Sequence, residues 1–165
     1  TANYAGIVIS GKDNNAIGTG LTLCDYNTIE SNTINGGMYG ITLTANFANG
    51  ANGYNKIIKN KIYDFYTDGI HVLASYNSLF EKNIISRPTR TNSATTVNGI
   101  VFGQQNNAPI ISKNKIYECF KAMPTHTAAF NGMQFNSSSP SAGNDIIITK
   151  NLLAESEGKV NQNVI

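Results

Sequence analysis

The sequence predicts an all-β chain wound as a right-handed, single-stranded parallel β-helix, a solenoid of about five to six rungs. Three observations carry the prediction. Asparagine and isoleucine dominate, with 24 and 20 residues against 7 leucines and no tryptophan. A glycine phrase recurs five times along the chain, and an asparagine phrase follows it each time. Helices draw on Leu, Ala, Glu and Lys, whereas β-branched Ile suits a packed, pleated strand. Asn suits turns because it tolerates the left-handed conformation.

The glycine phrase is Gly-apolar-x-apolar: GIVI at Gly6, GITL at Gly40, GIHV at Gly69, GIVF at Gly99 and GMQF at Gly132. The second phrase reads IESNTI ending at Ile34, IIKNKI at Ile62, FEKNII at Ile85, ISKNKI at Ile116 and IITKNLL around Asn151. Successive glycines are 34, 29, 30 and 33 residues apart, successive asparagines 28, 23, 31 and 37. Constant phrases with variable spacers mean constant strands joined by loops of changing length, which separates a solenoid from a coiled coil and its rigid period. Strands of three to five residues are too short to stand alone, and stacking buries them.

Side-chain alternation then assigns positions. In GITL, Ile41 and Leu43 face inward and Thr42 outward. Ile29, Ile57, Phe80, Ile111 and Ile148 face inward on the next strand. Asn32, Asn60, Asn83, Asn114 and Asn151 sit where the chain bends, taking positive φ themselves and bonding to one another as an amide ladder about 4.8 Å from rung to rung.

Other classes are bounded by composition. The chain has 165 residues, 13% of them charged, with a net charge of +2. That is one domain, residues 1–165, with too little positive charge for nucleic acid. No apolar run approaches the roughly 20 residues that cross a bilayer, and TANYAGIVIS lacks the flanks of a signal peptide. No capping helix is evident at either end, so the expectation is a segment of a longer solenoid, or one that stacks end to end on a partner.

These phrases resemble the pectate-lyase-like parallel β-helices, most nearly the carbohydrate-binding and sugar-hydrolysing β-helix repeats that include the periplasmic NosD-type proteins. The similarity runs from Gly6 to about Leu153. It implies contact with polysaccharide at an extracellular, cell-surface or periplasmic location. Within it, YTDGIHV from Tyr66 to Val72 resembles the polygalacturonase motif Asn-Thr-Asp-Gly, which would make Asp68 an acid or base. The Gly-Asp-Asp, Gly-His-Gly and Arg-Ile-Lys segments that accompany that motif are missing here. No second carboxyl presents itself on the adjacent rung, within the roughly 5 to 9.5 Å that paired-carboxylate hydrolysis requires.

The same stretch also resembles the Tyr, Asp, Pro, His cluster of alginate epimerases, although the spacing differs and the proline is missing. On that likeness Tyr66, Asp68 and His71 are the catalytic candidates, with Lys82 or Arg87 to neutralise a uronate carboxylate. The plainer alternative makes Asp68 a rung-opening residue like Asn98 and Asn131, and His71 an exposed strand position like Thr42, Val101 and Gln134.

Two surface lines are candidates for binding. Tyr39, Thr42, Thr44, Asp68, His71, Asn98, Asn131, Gln134 and Asn136 form a strip of amides, hydroxyls and an aromatic ring suited to sugar hydroxyls. The long spacers from Ser86 to Val97 and from Glu118 to Phe130 are expected to wall it. The second line is Lys59, Lys82, Lys113 and Lys150, each just before a corner Asn and offset by Asp64, Glu118 and Glu155. It reads either as a track for an anionic polymer or as solvated edge residues that discourage aggregation.

The remaining signals are slight. Cys24 and Cys119 fall about three rungs apart, too far to bridge. His126 has no spaced ligand partner, so no metal and no cofactor is expected. Asn136-Ser-Ser is a glycosylation sequon. The expected function is a polysaccharide-interacting β-helix, part of a lyase, epimerase or glycoside hydrolase. The alternative is a non-catalytic structural or adhesive module of a cell surface or phage tail; an ice-binding face is disfavoured by the irregular exposed positions.

Overall fold

The computed structural model describes residues 4–12, 14–20, 23–46, 48, 50–138 and 142–155, and the backbone of 162 and 163. The chain opens with β1 (Ala5–Ser10) and then coils. One coil holds β2 (Thr28–Glu30), β3 (Thr33–Asn35) and β4 (Tyr39–Thr44). The next holds β5 (Asn52–Gly53), β6 (Lys56–Ile58), β7 (Lys61–Tyr63) and β8 (Asp68–Leu73). It is followed by β9 (Ser75–Tyr76), β10 (Leu79–Glu81), β11 (Ile84–Ser86) and β12 (Thr96–Phe102). Then come β13 (Ile110–Ser112), β14 (Lys115–Tyr117) and β15 (Ala129–Phe135), and last β16 (Ile147–Thr149), β17 (Leu152–Ala154) and β18 (Gln162–Asn163).

Corresponding strands of successive coils pair in parallel and build three long sheets. Sheet A stacks β1, β4, β8, β12, β15 and β18; sheet B stacks β2, β6, β10, β13 and β16; sheet C stacks β3, β7, β11, β14 and β17. A small sheet D pairs β5 with β9 and is prolonged by a bridge from Tyr76 to Asn107. Of the closing NQNVI segment, the described part is β18, which pairs Gln162 and Asn163 with Phe130 and Asn131.

The inward columns are those the phrases predict. Ile29, Ile57, Phe80, Ile111 and Ile148 stack in sheet B, and Ile34, Ile62, Ile85, Ile116 and Leu153 in sheet C. Ile41, Ile70, Ile100 and Met133 meet them from sheet A, all fully buried. The phrase glycine is set by close approach rather than by turn geometry. A Cβ on Gly69 would stand 2.5 Å from Ile85 Cγ2 and 2.6 Å from the Gly99 carbonyl oxygen. Gly99 is hemmed in alike, by Ile116 Cγ2 and the Gly132 carbonyl, each at 2.5 Å.

The Asn column at the corner between sheets B and C forms the expected ladder. Nδ2 of Asn32, Asn60, Asn83 and Asn114 donates to Oδ1 of the next Asn at 3.1, 3.1, 2.9 and 3.0 Å. The same oxygens also accept the backbone N–H of the preceding Asn, at 2.9–3.0 Å. The second amide hydrogen goes backward, from Asn60 to Ile29 O, Asn83 to Ile57 O and Asn114 to Phe80 O. Asn60, Asn83 and Asn114 are wholly buried, and this closed network is what permits it.

Two details differ from expectation. Positive φ belongs to the residue before each Asn: Ser31, Lys59, Lys82, Lys113 and Lys150, at +56 to +60°. The Asn is there for its amide, and its neighbour makes the bend. The lysines are offset by sheet B carboxylates. Lys59 pairs with Glu30 and Lys113 with Glu81, both at 2.7 Å, while Lys82 lies 3.7 Å from Glu81. The Lys113 bond holds the Glu81 carboxyl below its ordinary range. Asp64 and Glu155 are committed elsewhere: Asp64 accepts from Thr89 and Arg90, and Glu155 from the Cys119 and Phe120 amides. Glu118 pairs with Lys121.

Candidate functional site

Sheet A is the longest sheet, and the bulk of the sequence-predicted candidates lie on its outer face. In register, Tyr39, Asp68, Asn98 and Asn131 form one column, and Val8, Thr42, His71, Val101 and Gln134 a second. The columns stand three residues apart along each strand, where strict alternation would set the side chains on opposite faces, yet Asp68 and His71 are in contact. Asp68 Oδ2 lies 2.7 Å from His71 Nδ1, while Asp68 Oδ1 accepts from Asn98 Nδ2 at 2.7 Å. Asn98 Oδ1 in turn accepts from Asn131 Nδ2 at 2.7 Å.

This is a second side-chain ladder, ending on a carboxylate. An ionised carboxylate can only accept, so the contact assigns the proton to Nδ1 and leaves Nε2 of a neutral His71 with its lone pair. A base oriented by a carboxylate through its other nitrogen is the arrangement proton-transfer sites use. The Tyr39 ring packs on His71, centroids 5.3 Å apart at 59°. Burial, and after it the Asp68 charge, raises the Tyr39 hydroxyl above the usual phenol range, which keeps it a proton donor.

The strip is less open than the alternation implied. Thr42 and Thr44 are buried, Val101 is nearly so, and Tyr39, Asp68, Asn98 and Asn131 are each under a tenth exposed. The loop of residues 14–20 reaches over one end, where the Gly18 carbonyl accepts from Thr44 Oγ1 at 3.0 Å. Thr42 Oγ1 finds no hydrogen-bond partner among the described residues. His71 and Gln134 keep partial access to solvent.

The family of the whole chain can now be stated. Residues 2–161 match the family model of the right-handed β-helix region. The chain belongs to that family. Comparison with curated proteins and with solved structures returns no significant match. Membership in the right-handed β-helix family fixes the fold and leaves the chemistry to be argued from the site.

Three assignments change within this β-helix. Arg87 does not face a substrate: it is fully buried, donating from Nε to Phe65 O at 2.8 Å, from Nη1 to Cys119 O at 3.0 Å and from Nη2 to Asn92 O at 2.8 Å. Its guanidinium lies between the Phe65 and Phe120 rings, 5.8 and 5.5 Å from their centroids. Burial pushes its pKa down to about 10, so it stays charged at neutral pH and stitches three successive coils together. Lys82 stands half-exposed at the corner between sheets B and C, away from the sheet A strip. Tyr66 gives its hydroxyl to Ser93 O at 3.3 Å, under the Arg90 guanidinium, 5.1 Å from the ring.

The long spacer after Ser86 therefore closes on Tyr66 and Asp64 and flanks the strip at its upstream edge. There Tyr4, Met38, Tyr66 and Arg90 line a surface pocket of about 290 Å³. Among the described residues no three His, Cys, Asp or Glu side chains gather as a metal site requires. Cys24 and Cys119 are free thiols, and burial raises the pKa of Cys119 well above the ordinary thiol range. Sequence reasoning placed Tyr39 in the binding strip but grouped Tyr66 with His71, and the ring beside His71 is that of Tyr39. It also missed an amide pair at the corner before sheet B, where Asn27 Nδ2 donates to Asn55 Oδ1 at 3.1 Å.

Proposed function

We propose that this β-helix binds polysaccharide along the outer face of sheet A, outside the cytoplasm, with His71 as the proton-transferring group. One observation carries the reading: Asp68 grips His71 Nδ1 at 2.7 Å on a partly open face, beside the Tyr39 ring. Among the described residues of these two columns the ion-pairable dyad stands at one rung, a departure that stacking alone does not call for. The dyad supplies a base and its orienting group, and Tyr39 a phenol acid. That set fits proton removal beside a uronate carboxylate, as in elimination or epimerisation. Hydrolysis by paired carboxylates is less well supported, because Asp68 is the sole carboxylate in these two columns among the described residues and both its oxygens are engaged.

A structural or adhesive module is the second reading, and one observation favours it. Asp68, Asn98 and Asn131 are nearly buried and bond mainly within the column, as a purely load-carrying ladder would. Calorimetric titration with polygalacturonate, alginate and neutral glycans separates the two. Saturable binding to an acidic glycan, lost in His71→Ala with the melting temperature kept, together with an ultraviolet-absorbing unsaturated product, is the outcome expected. Failure of both acidic glycans to bind the intact chain leaves the structural reading in possession.

A further inference from the structure

The edge where sheet D turns into sheet B carries three tyrosines stacked across coils. Tyr26 and Tyr54 lie nearly parallel, centroids 4.9 Å apart at 8°, and Tyr76 meets Tyr54 edge-on at 5.2 Å and 77°. They face outward: Tyr26 is 73% exposed and Tyr54 41%. The hydrophobic core does not use them.

Their backbone is expensive. Tyr26 and Tyr54 take φ of +58 and +56°, a region in which a bulky side chain is a genuine outlier. Glycine or asparagine would serve the bend at less strain, so the sequence keeps rings where the fold alone would favour their absence. The third ring is seated by design of the neighbouring coil. Gly53 is the register partner of Tyr76, and a Cβ there would collide with the Tyr76 ring.

We infer that the Tyr26–Tyr54–Tyr76 stack is a second glycan site, which takes the apolar ring face of a neutral pyranoside. A tyrosine ring offers a flat apolar surface and a hydroxyl at its rim, and a pyranose has the same division between C–H face and hydroxyl edge. Charge selects the class of sugar. Asp25 stands beside the stack, its Oδ1 accepting from Gly53 N at 2.6 Å, and its charge acts on Tyr76. A carboxylate at that place repels uronates and accepts from neutral hydroxyls. The site lies on a different edge from the His71 strip and stands whether or not that strip binds acidic glycans.

The test uses the whole chain with cellohexaose, xylohexaose and hexagalacturonate, followed by tyrosine fluorescence, which no tryptophan obscures. Tyr26→Gly and Tyr54→Gly are the decisive variants, because glycine relieves the positive φ and removes only the ring. Each is expected to weaken binding of a neutral hexasaccharide about tenfold, the size of one lost ring contact. His71→Ala leaves that affinity unchanged, and hexagalacturonate does not compete. The inference is overturned if neither neutral hexasaccharide binds the intact chain, or if both glycine variants bind as tightly as it does; a lowered melting temperature with unchanged affinity makes the stack a brace instead. Loss of acidic-glycan binding in His71→Ala, with neutral-hexasaccharide affinity unchanged in both tyrosine variants, removes this site and leaves the sheet A reading intact.

Discussion

Two side-chain ladders run along this molecule, and they are built to different rules. At the corner between sheets B and C the rungs from Asn32 to Asn151 repeat one residue type, the amides of Asn32 to Asn114 each passing one hydrogen forward to the next Asn, and those of Asn60 to Asn151 passing one back to a main-chain carbonyl. On the outer face of sheet A the column changes type, from Tyr39 to Asp68 and then to Asn98, before it repeats at Asn131. The inner ladder satisfies main-chain N–H and C=O groups as well as side chains in a buried corner, so any departure is penalised. The outer ladder bonds side chain to side chain, and its positions are free to carry chemistry. The contrast puts the proposed site where repetition breaks down.

The largest test breaks the inner ladder. Asn83→Ala removes a buried amide that accepts from Asn60 N and Nδ2 and donates to Asn114 and Ile57 O. Stranding several buried groups at 1–3 kcal/mol each, partly relaxed, gives a loss of about 3 kcal/mol. Urea unfolding monitored by circular dichroism checks it. A loss no greater than that of Asn98→Ala would show that the two ladders are energetically alike.

Asn98→Ala should cost less, about 1 kcal/mol, because the bonds to Asp68 and Asn131 join side chains near the surface. Its effect on binding should exceed its effect on stability. Without Asn98, Asp68 keeps His71 but loses its second restraint, and the measurement is the affinity for acidic glycan against the melting temperature of the same protein.

Asp68→Asn sharpens the comparison further. The replacement amide can still accept from Asn98 and can donate to His71, so folding should change by under about 1 kcal/mol. The donated hydrogen, however, forces Nδ1 to accept and moves the histidine proton to Nε2. Nitrogen-15 chemical shifts of the His71 ring read the tautomer directly. Retention of the Nδ1–H form in the variant would mean that Asp68 does not orient the base.

How much of this the sequence disclosed follows from what a repeat encodes. The glycine and asparagine phrases mark positions that every coil must fill alike, so sheets, inward columns and the corner ladder were legible. Residues between phrases have neighbours set by spacers of 23 to 37 residues, and these cross-coil contacts were not. Arg87 looked like a surface cation because isolated arginines usually are, and only the stacked loops supply the three carbonyls that bury it. Thr42 alternated outward correctly, yet it is fully buried, and two residues on, Thr44 is tied to the Gly18 carbonyl of a loop from another coil. The tyrosine stack did leave a phrase, Tyr-Asn at Tyr26, Tyr54 and Tyr76, but a two-residue repeat does not say that the rings meet, and their stacking was not legible.

The smallest effect separates two adjacent residues. Lys82 takes φ of +57° and its half-exposed side chain has one loose ion pair, 3.7 Å from Glu81. Relief of the left-handed conformation is worth about 1–2 kcal/mol, and the added freedom of a glycine in the unfolded chain costs about 0.4–1 kcal/mol. Lys82→Gly should therefore stabilise by roughly 0.5 kcal/mol. Lys59→Gly should gain less, because Lys59 gives up a 2.7 Å bond to Glu30. If Asn83 made the bend, as its turn propensity suggests, Lys82→Gly would destabilise; paired urea titrations of the two glycine variants decide which residue of the Lys-Asn step bends the chain and which one ties it.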